Sequence, residues 1–110
     1  MGDRANIIIK EKGQQVCLYS HWGGTELPHI LKSALIRGKS RWNDYQYLNR
    51  IIFCEMVGGK VGDLTGYGIS QNPGDGDDRI LYVDTEAQTV AVNEKKPVSF
   101  TEYINTNPNW

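Results

Sequence analysis

Two alternating segments meet at Lys12-Gly13, and that junction constrains the fold more than any other feature of the chain. Residues 4–10 and 15–21 both read as strands. Ala5, Ile7 and Ile9 fall on one face, with Arg4, Asn6, Ile8 and Lys10 on the other. Glu11-Lys12-Gly13-Gln14 supplies the turn, because Gly13 can take a positive φ without strain. If Lys12-Gly13 forms a two-residue loop, paired positions sum to 25. Arg4 then faces His21, Asn6 faces Tyr19, and Ile8 faces Cys17. A bulged turn would shift the register by one residue and scatter that set.

The hairpin runs into Tyr19-Ser20-His21-Trp22-Gly23-Gly24-Thr25-Glu26, a strand, a glycine corner and a helix start. A first helix is expected over residues 26–37, with Thr25 as N-cap, Pro28 in the first turn and Gly38 as the stop. Leu27, Ile30, Leu31, Ala34 and Leu35 form its apolar stripe. A second helix is expected over 44–57. Asn43 and Gln46 have capping-box spacing, and Trp42 and Tyr47 occupy staple positions. The second half reads as β: a strand at 67–70, then 80–84 and 89–93 joined by a turn. Ser99-Phe100-Thr101-Glu102 predicts a short helix over 100–105. The glycine-rich tracts 58–68 and 71–76 are expected to be the most mobile parts. The order ββ-αα-βββ-α predicts one α+β domain over residues 1–110: an N-terminal β-hairpin, two helices, then C-terminal antiparallel strands and a short helix, with an antiparallel sheet.

Bulk properties remove several function classes. The net charge of -1 gives no strong nucleic-acid signal. No apolar run approaches the roughly 18 residues of a membrane span, so no membrane partner is expected. Cys17 and Cys54 are far apart, and neither sits in a metal-ligand spacing. We therefore expect free thiols, no metal and no cofactor.

Four places carry chemistry of interest. At the glycine corner, the N–H groups near Gly23, Gly24 and Thr25 can seat an anion. Arg4 adds a bidentate cation, Trp22 a stacking face, and Asn6, Tyr19 and His21 share the inferred strand face. The same residues also fit a tight strand-to-helix turn with Trp22 in the core. Lys32, Arg37, Lys39 and Arg41 lie ahead of Trp42 and fit either a phosphate site or a solvated helix end. Asp75, Asp77 and Asp78 hint at calcium, but Ile80 stands where an EF-hand loop needs glycine, so a polar loop is expected. Finally, Cys17 or Cys54 with His21 is the only Cys/His arrangement available for nucleophilic chemistry, and Glu26 or Glu55 are carboxylates that could pair with His21.

The opening Met1-Gly2-Asp3-Arg4-Ala5-Asn6 followed by Leu18-Tyr19-Ser20-His21-Trp22-Gly23-Gly24 resembles a family of small phage and bacterial proteins. Trp42-Asn43-Asp44, Arg50-Ile51-Ile52-Phe53, Thr65-Gly66-Tyr67-Gly68-Ile69-Ser70 and Tyr82-Val83-Asp84 also resemble its pattern. That family carries no settled enzymatic activity, so the resemblance implies no catalytic residues. By analogy of gene context and size, it implies a phage anti-defence protein, and some small phage proteins of that kind sequester cyclic-nucleotide or cyclic ADP-ribose signals, usually as oligomers. With no apolar secretory or spanning segment in the sequence, a cytoplasmic location is expected, the host cytoplasm if the protein is phage-encoded.

The expected function is therefore a non-enzymatic module for a small anionic, nucleotide-like ligand. Its expected ligand-binding residues are Arg4, Asn6, Tyr19, His21, Trp22, Gly23, Gly24, Thr25, Arg41 and Tyr67. Two alternatives stand beside it. One is a protein-binding inhibitor of a host defence complex, using exposed surface around Trp22, Trp42 and Trp110. The other is a small hydrolase using His21.

Overall fold

The computed structural model describes residues 2–73 and 78–110. Asp75, Asp77 and part of the second glycine-rich tract lie outside the described residues. The Lys12-Gly13 loop forms as its spacing requires. Both residues have positive φ, +51° and +79°, the conformation of a two-residue type I′ hairpin loop. β1 (Ala5–Glu11) and β2 (Gln14–Ser20) pair antiparallel with Asn6 opposite Tyr19 and Ile8 opposite Cys17.

β1 is buried on both faces from Ala5 to Ile9. A strand of that kind needs neighbours on both sides, and it has them. β4 (Ile80–Asp84) lies along its second edge, with Ile7 beside Leu81 and Ile9 beside Val83. This pairing is parallel, so the expectation of a wholly antiparallel sheet is corrected to a mixed one. The other pairings are antiparallel. β3 (Tyr67–Ser70) flanks β2, β5 (Thr89–Val92) flanks β4, and β6 (Val98–Ser99) flanks β5. The order across the sheet is β3-β2-β1-β4-β5-β6. The two-residue β6 has no counterpart in the expected elements.

α1 (Leu27–Arg37), α2 (Tyr45–Val57) and α3 (Phe100–Ile104) join the core on one face of the sheet. Ala5, Ile7, Ile9, Leu18, Leu81 and Val83 meet the expected α1 stripe there, together with Leu48 and Ile52 of α2. Each buried Leu, Ile or Val among them contributes about 1.5–3 kcal/mol by leaving water. The opposite face carries a smaller cluster of Ile8, Cys17 and Ile80, with Tyr82 packed against it. The architecture is α+β, as the order of elements predicts. No described helix is long and apolar enough to cross a membrane.

The helix starts differ in detail from expectation. A 3-10 turn at Gly24–Glu26 precedes α1, so Glu26 takes the N-cap position, and Thr25 does not cap the helix. The Asn43–Gln46 capping box does not form either. Asp44 stands at the N-cap without a side-chain bond, and Asn43 Oδ1 accepts from Gln88 Nε2 at 2.6 Å. Ser99 does cap α3, accepting from Glu102 N at 3.0 Å.

Two of the three tryptophans are structural. Trp42 donates to Leu35 O at 3.0 Å and packs edge-on against Phe100. Trp110 donates to Gly24 O at 2.8 Å and packs against the core. They do not form the exposed aromatic surface anticipated around Trp22.

Tyr103 ties α3 to α1 through one buried bond, its hydroxyl donating to Pro28 O at 2.7 Å. Tyr103→Phe should keep the fold and lower stability by about 0.5–1.5 kcal/mol, since it removes a buried hydrogen bond. Urea unfolding measures this, and an unchanged midpoint would show that the bond contributes nothing.

Candidate functional site

The glycine corner fills itself. Gly23 N donates to Ser20 Oγ at 3.1 Å, Gly24 N to Asp3 O at 2.7 Å, and Thr25 N to Asp3 Oδ2 at 3.0 Å. The donors expected to seat an anion are thus occupied by the chain's own acceptors. The anion in the seat is the Asp3 carboxylate, which also accepts from Thr25 Oγ1 at 2.9 Å. Arg79, at the start of β4, completes the cluster. Its guanidinium pairs with Asp3 Oδ1 and donates to Arg4 O at 2.8 Å. It also lies 5.6 Å from the centre of the Trp110 ring.

These contacts have two local consequences. The hydrogen bond from Arg79, then those from Thr25, hold the Asp3 carboxyl down at about 2. Gly24 is required by close approach, because a Cβ there would stand 2.5 Å from Asp3 O and 2.7 Å from Arg79 Nη2. Close packing thus accounts for the second glycine of the corner.

Beside the filled corner lies an open cleft of about 440 Å3, lined by Tyr19, His21, Trp22, Thr65, Gly66 and Tyr67. Tyr19 and His21 share a strand face through the sum-25 register, and the Tyr19 hydroxyl bonds His21 Nδ1 at 2.6 Å. The His21 ring meets Trp22 edge-on, with centroids 4.8 Å apart. The backbone fixes the far wall, with His21 N donating to Gly66 O at 2.9 Å. Gly66 has φ +101°, and a Cβ on it would stand 2.9 Å from the Trp22 ring. Only glycine lets this loop pass under the indole. Trp22 itself is 58% exposed, so it does not fill the core.

The structure gathers four expected residues at the cleft: Tyr19, His21, Trp22 and Tyr67. Arg4 is exposed, and a Cβ on Gly2 would stand 3.0 Å from both the Arg4 side chain and the His21 carbonyl oxygen. Asn6 shares their strand face but is fully buried, so it presents no surface to a ligand. Gly23, Gly24 and Thr25 belong to the Asp3 cluster. Arg41 sits elsewhere, 4.0 Å from Asp44 and stacked on Tyr47 at 5.0 Å. Asn43, close to it in the chain, meets Gln88 in the turn after β4, so Arg41 belongs to the opposite end of the strands from His21. Its neighbours in the expected basic corner are also engaged. Lys32 donates to Thr106 O, Arg37 pairs with Glu55 at 2.8 Å, and Lys39 lies over Trp42.

The Cys/His arrangement available in the sequence gains no support among the described residues. Cys17 is buried, its thiol donates to Gln71 O at 3.4 Å, and burial pushes its titration up, so it makes a poor nucleophile. Cys54 is exposed on α2, where Arg50 Nη1 approaches its sulfur at 4.0 Å. No described group of His, Cys, Asp and Glu can hold a metal ion.

Sequence reasoning missed Asp3, Arg79, Thr65 and Gly66. Asp3 was within reach, since the register carried one step further sets it opposite Trp22, at the corner. Thr65 and Gly66 follow from β3 lying beside β2, and Arg79 from the parallel β4; neither leaves a local signal. Comparison with protein-family models, curated proteins and solved structures finds no match to this chain.

Two predictions follow from this geometry. Asp3→Ala should cost about 0.5–2 kcal/mol at pH 7, the usual size of a lost helix-start acceptor. Because the Asp3 titration is depressed, its contribution is complete above the ordinary carboxylate value of about 3.9 and is lost as pH falls towards about 2. Urea midpoints of the two proteins should therefore converge between those values, and a pH-independent gap would refute the carboxylate's role. Gly66→Ala should push the indole aside and cost about 1–3 kcal/mol of backbone strain. A shifted Trp22 emission maximum with a lower melting temperature reports it.

Proposed function

We propose that this protein is a non-enzymatic binding module for a small, flat, anionic ligand of nucleotide type, a cyclic nucleotide or a cyclic ADP-ribose-like signal. In this proposal it acts for a phage against a host defence. The observation that carries the proposal is the open cleft of about 440 Å3 lined by Trp22, Tyr19 and His21, with Tyr67 at its edge and the Tyr67 ring packed against the helix-side core. Aromatic faces suit a base, and stacking contributes about 1–3 kcal/mol per base. His21, with Nδ1 engaged by Tyr19, is held in one orientation for a polar contact. In this reading Arg4, one residue before the Ala5–Ser20 pair, supplies the cation for a phosphate. Phosphate binding by the Gly23 and Gly24 N–H groups has no part in this reading, because those donors are taken.

The cleft is open on one side, and a small chain encloses a ligand more fully when a second subunit closes over it. We therefore include a homo-oligomer in the proposal.

A second reading has its own observation. Val61 and Leu64 are 83% and 100% exposed in the loop that runs into the cleft. Apolar side chains in that setting mark contact with another protein, such as a component of a host defence complex.

Calorimetry with a panel of cyclic nucleotides and ADP-ribose derivatives tests the first reading. Binding should occur with micromolar or better affinity, and Trp22→Ala should weaken it by about tenfold or more. No heat with any member at high micromolar ligand would refute it. Leu64→Asp separates the two readings: it should leave ligand binding intact and abolish only a protein contact.

A further inference from the structure

β3 is the edge strand of the sheet, bonded among the described strands to β2 alone. Its free edge has a defined pattern. Gly66 O accepts from His21 N, while Gly68 stands opposite Tyr19 and Ser70 opposite Cys17. Bonded pairs recur at every second residue of an antiparallel ladder. Residues 66, 68 and 70 therefore turn their backbone groups to β2, and Tyr67 and Ile69 turn theirs outward. Natural sheets blunt such an edge with lysine, proline or a bulge. From Leu64 to Asn72 this edge has no charge and no proline. Instead it exposes Ile69 to 57% and Leu64 fully.

We propose that β3 pairs antiparallel with β3 of a second copy, about a two-fold axis at Gly68, and that the partner strand forms the outer wall of the Trp22 cleft. The occupant is a second copy because the edge is self-complementary. Tyr67 and Ile69 lie one residue either side of Gly68, so in this register each meets the other across the axis. Every outward N–H and C=O of Tyr67 and Ile69 is then used between these two residues alone. The residue on the axis belongs to a non-bonded pair, where side chains approach most closely at about 4.5 Å between Cα atoms. Gly68 has no side chain to clash there. Tyr67 and Ile69 form cross-strand apolar pairs on the helix side, which removes Ile69 from water.

The consequence for the cleft follows from the same register and rests on the ligand reading above for its meaning. Gly66 faces Ser70 of the partner subunit, and Thr65 faces Gln71 of the partner subunit. A two-fold axis normal to the sheet keeps both copies' faces aligned, so Ser70 of the partner subunit lies on the side of Tyr19 and His21. Hydroxyl and amide groups thereby reach a rim that the single chain leaves aromatic and open.

Sedimentation equilibrium of the full chain tests the pairing. The wild type should run at twice its 12.4 kDa monomer mass. Ile69→Pro removes one outward donor and leaves the bonds to β2 in place, a substitution edge strands accept. Ile69→Lys puts a charge at the seam without touching the backbone. Both variants should run at the monomer mass, a twofold loss, with unchanged circular dichroism; if the proline variant unfolds, the lysine variant decides alone. Acrylamide quenching of Trp22 should rise in the lysine variant, because the partner wall has gone. A monomeric wild type at high micromolar protein, or dimers in a folded Ile69→Lys variant, would overturn the pairing, and unchanged quenching in a monomeric variant would overturn the shared wall. Absence of nucleotide binding bears on the earlier reading alone, since mass and quenching decide this one.

Discussion

The left-handed pair Lys12-Gly13 is the constraint on which the rest depends. With both φ values positive, the loop can hold only two residues, and the strands must pair at the register observed. That register sends Ala5, Ile7 and Ile9 to the helices and Tyr19 and His21 to the other face. A slip of one residue would exchange the faces of one strand, removing Leu18 from the core and turning Tyr19 and His21 together towards the helices. Core and cleft are thus set by the same turn.

The glycine corner shows how a sequence can advertise a site that the fold uses for itself. Unpaired N–H groups at a helix start attract an anion, and the nearest one is covalently attached. Asp3 occupies the seat, Arg79 balances it, and Trp110 covers the guanidinium. The cluster joins the N-terminal segment, the start of β4 and the C-terminal segment at one point. Its removal from the candidate site leaves the aromatic cleft as the surface open to a ligand. Under the proposed function, recognition then rests on stacking and on His21 rather than on backbone N–H groups.

Much of the fold was legible locally. The hairpin register, the α1 stripe, the Ser99 cap and the β4–β5 hairpin each follow from residues within one element or its turn. The parallel β1–β4 pairing was not read, although Ile7-Ile8-Ile9 is continuous apolar sequence of the kind that marks a strand buried on both faces. The Asn43–Gln46 capping box failed because a distant partner, Gln88, takes the asparagine. The site divides in the same way. Tyr19, His21 and Trp22 come from the hairpin and its exit, whereas Thr65, Gly66 and Arg79 are brought in by strand neighbours that no spacing reveals. Arg41 was grouped with them by chemistry alone, and chain geometry separates it.

A corner closed by its own carboxylate beside a cleft open to an aromatic ligand is the central claim, and amide NMR spectra separate its two halves most directly. Inorganic phosphate added near neutral pH should leave the Gly24 and Thr25 amide resonances in place, since their donors are already bonded to Asp3. A nucleoside added instead should move the Trp22 indole, Thr65 and Gly66 resonances. Phosphate-dependent shifts at Gly24 and Thr25, with the cleft resonances still, would contradict the account.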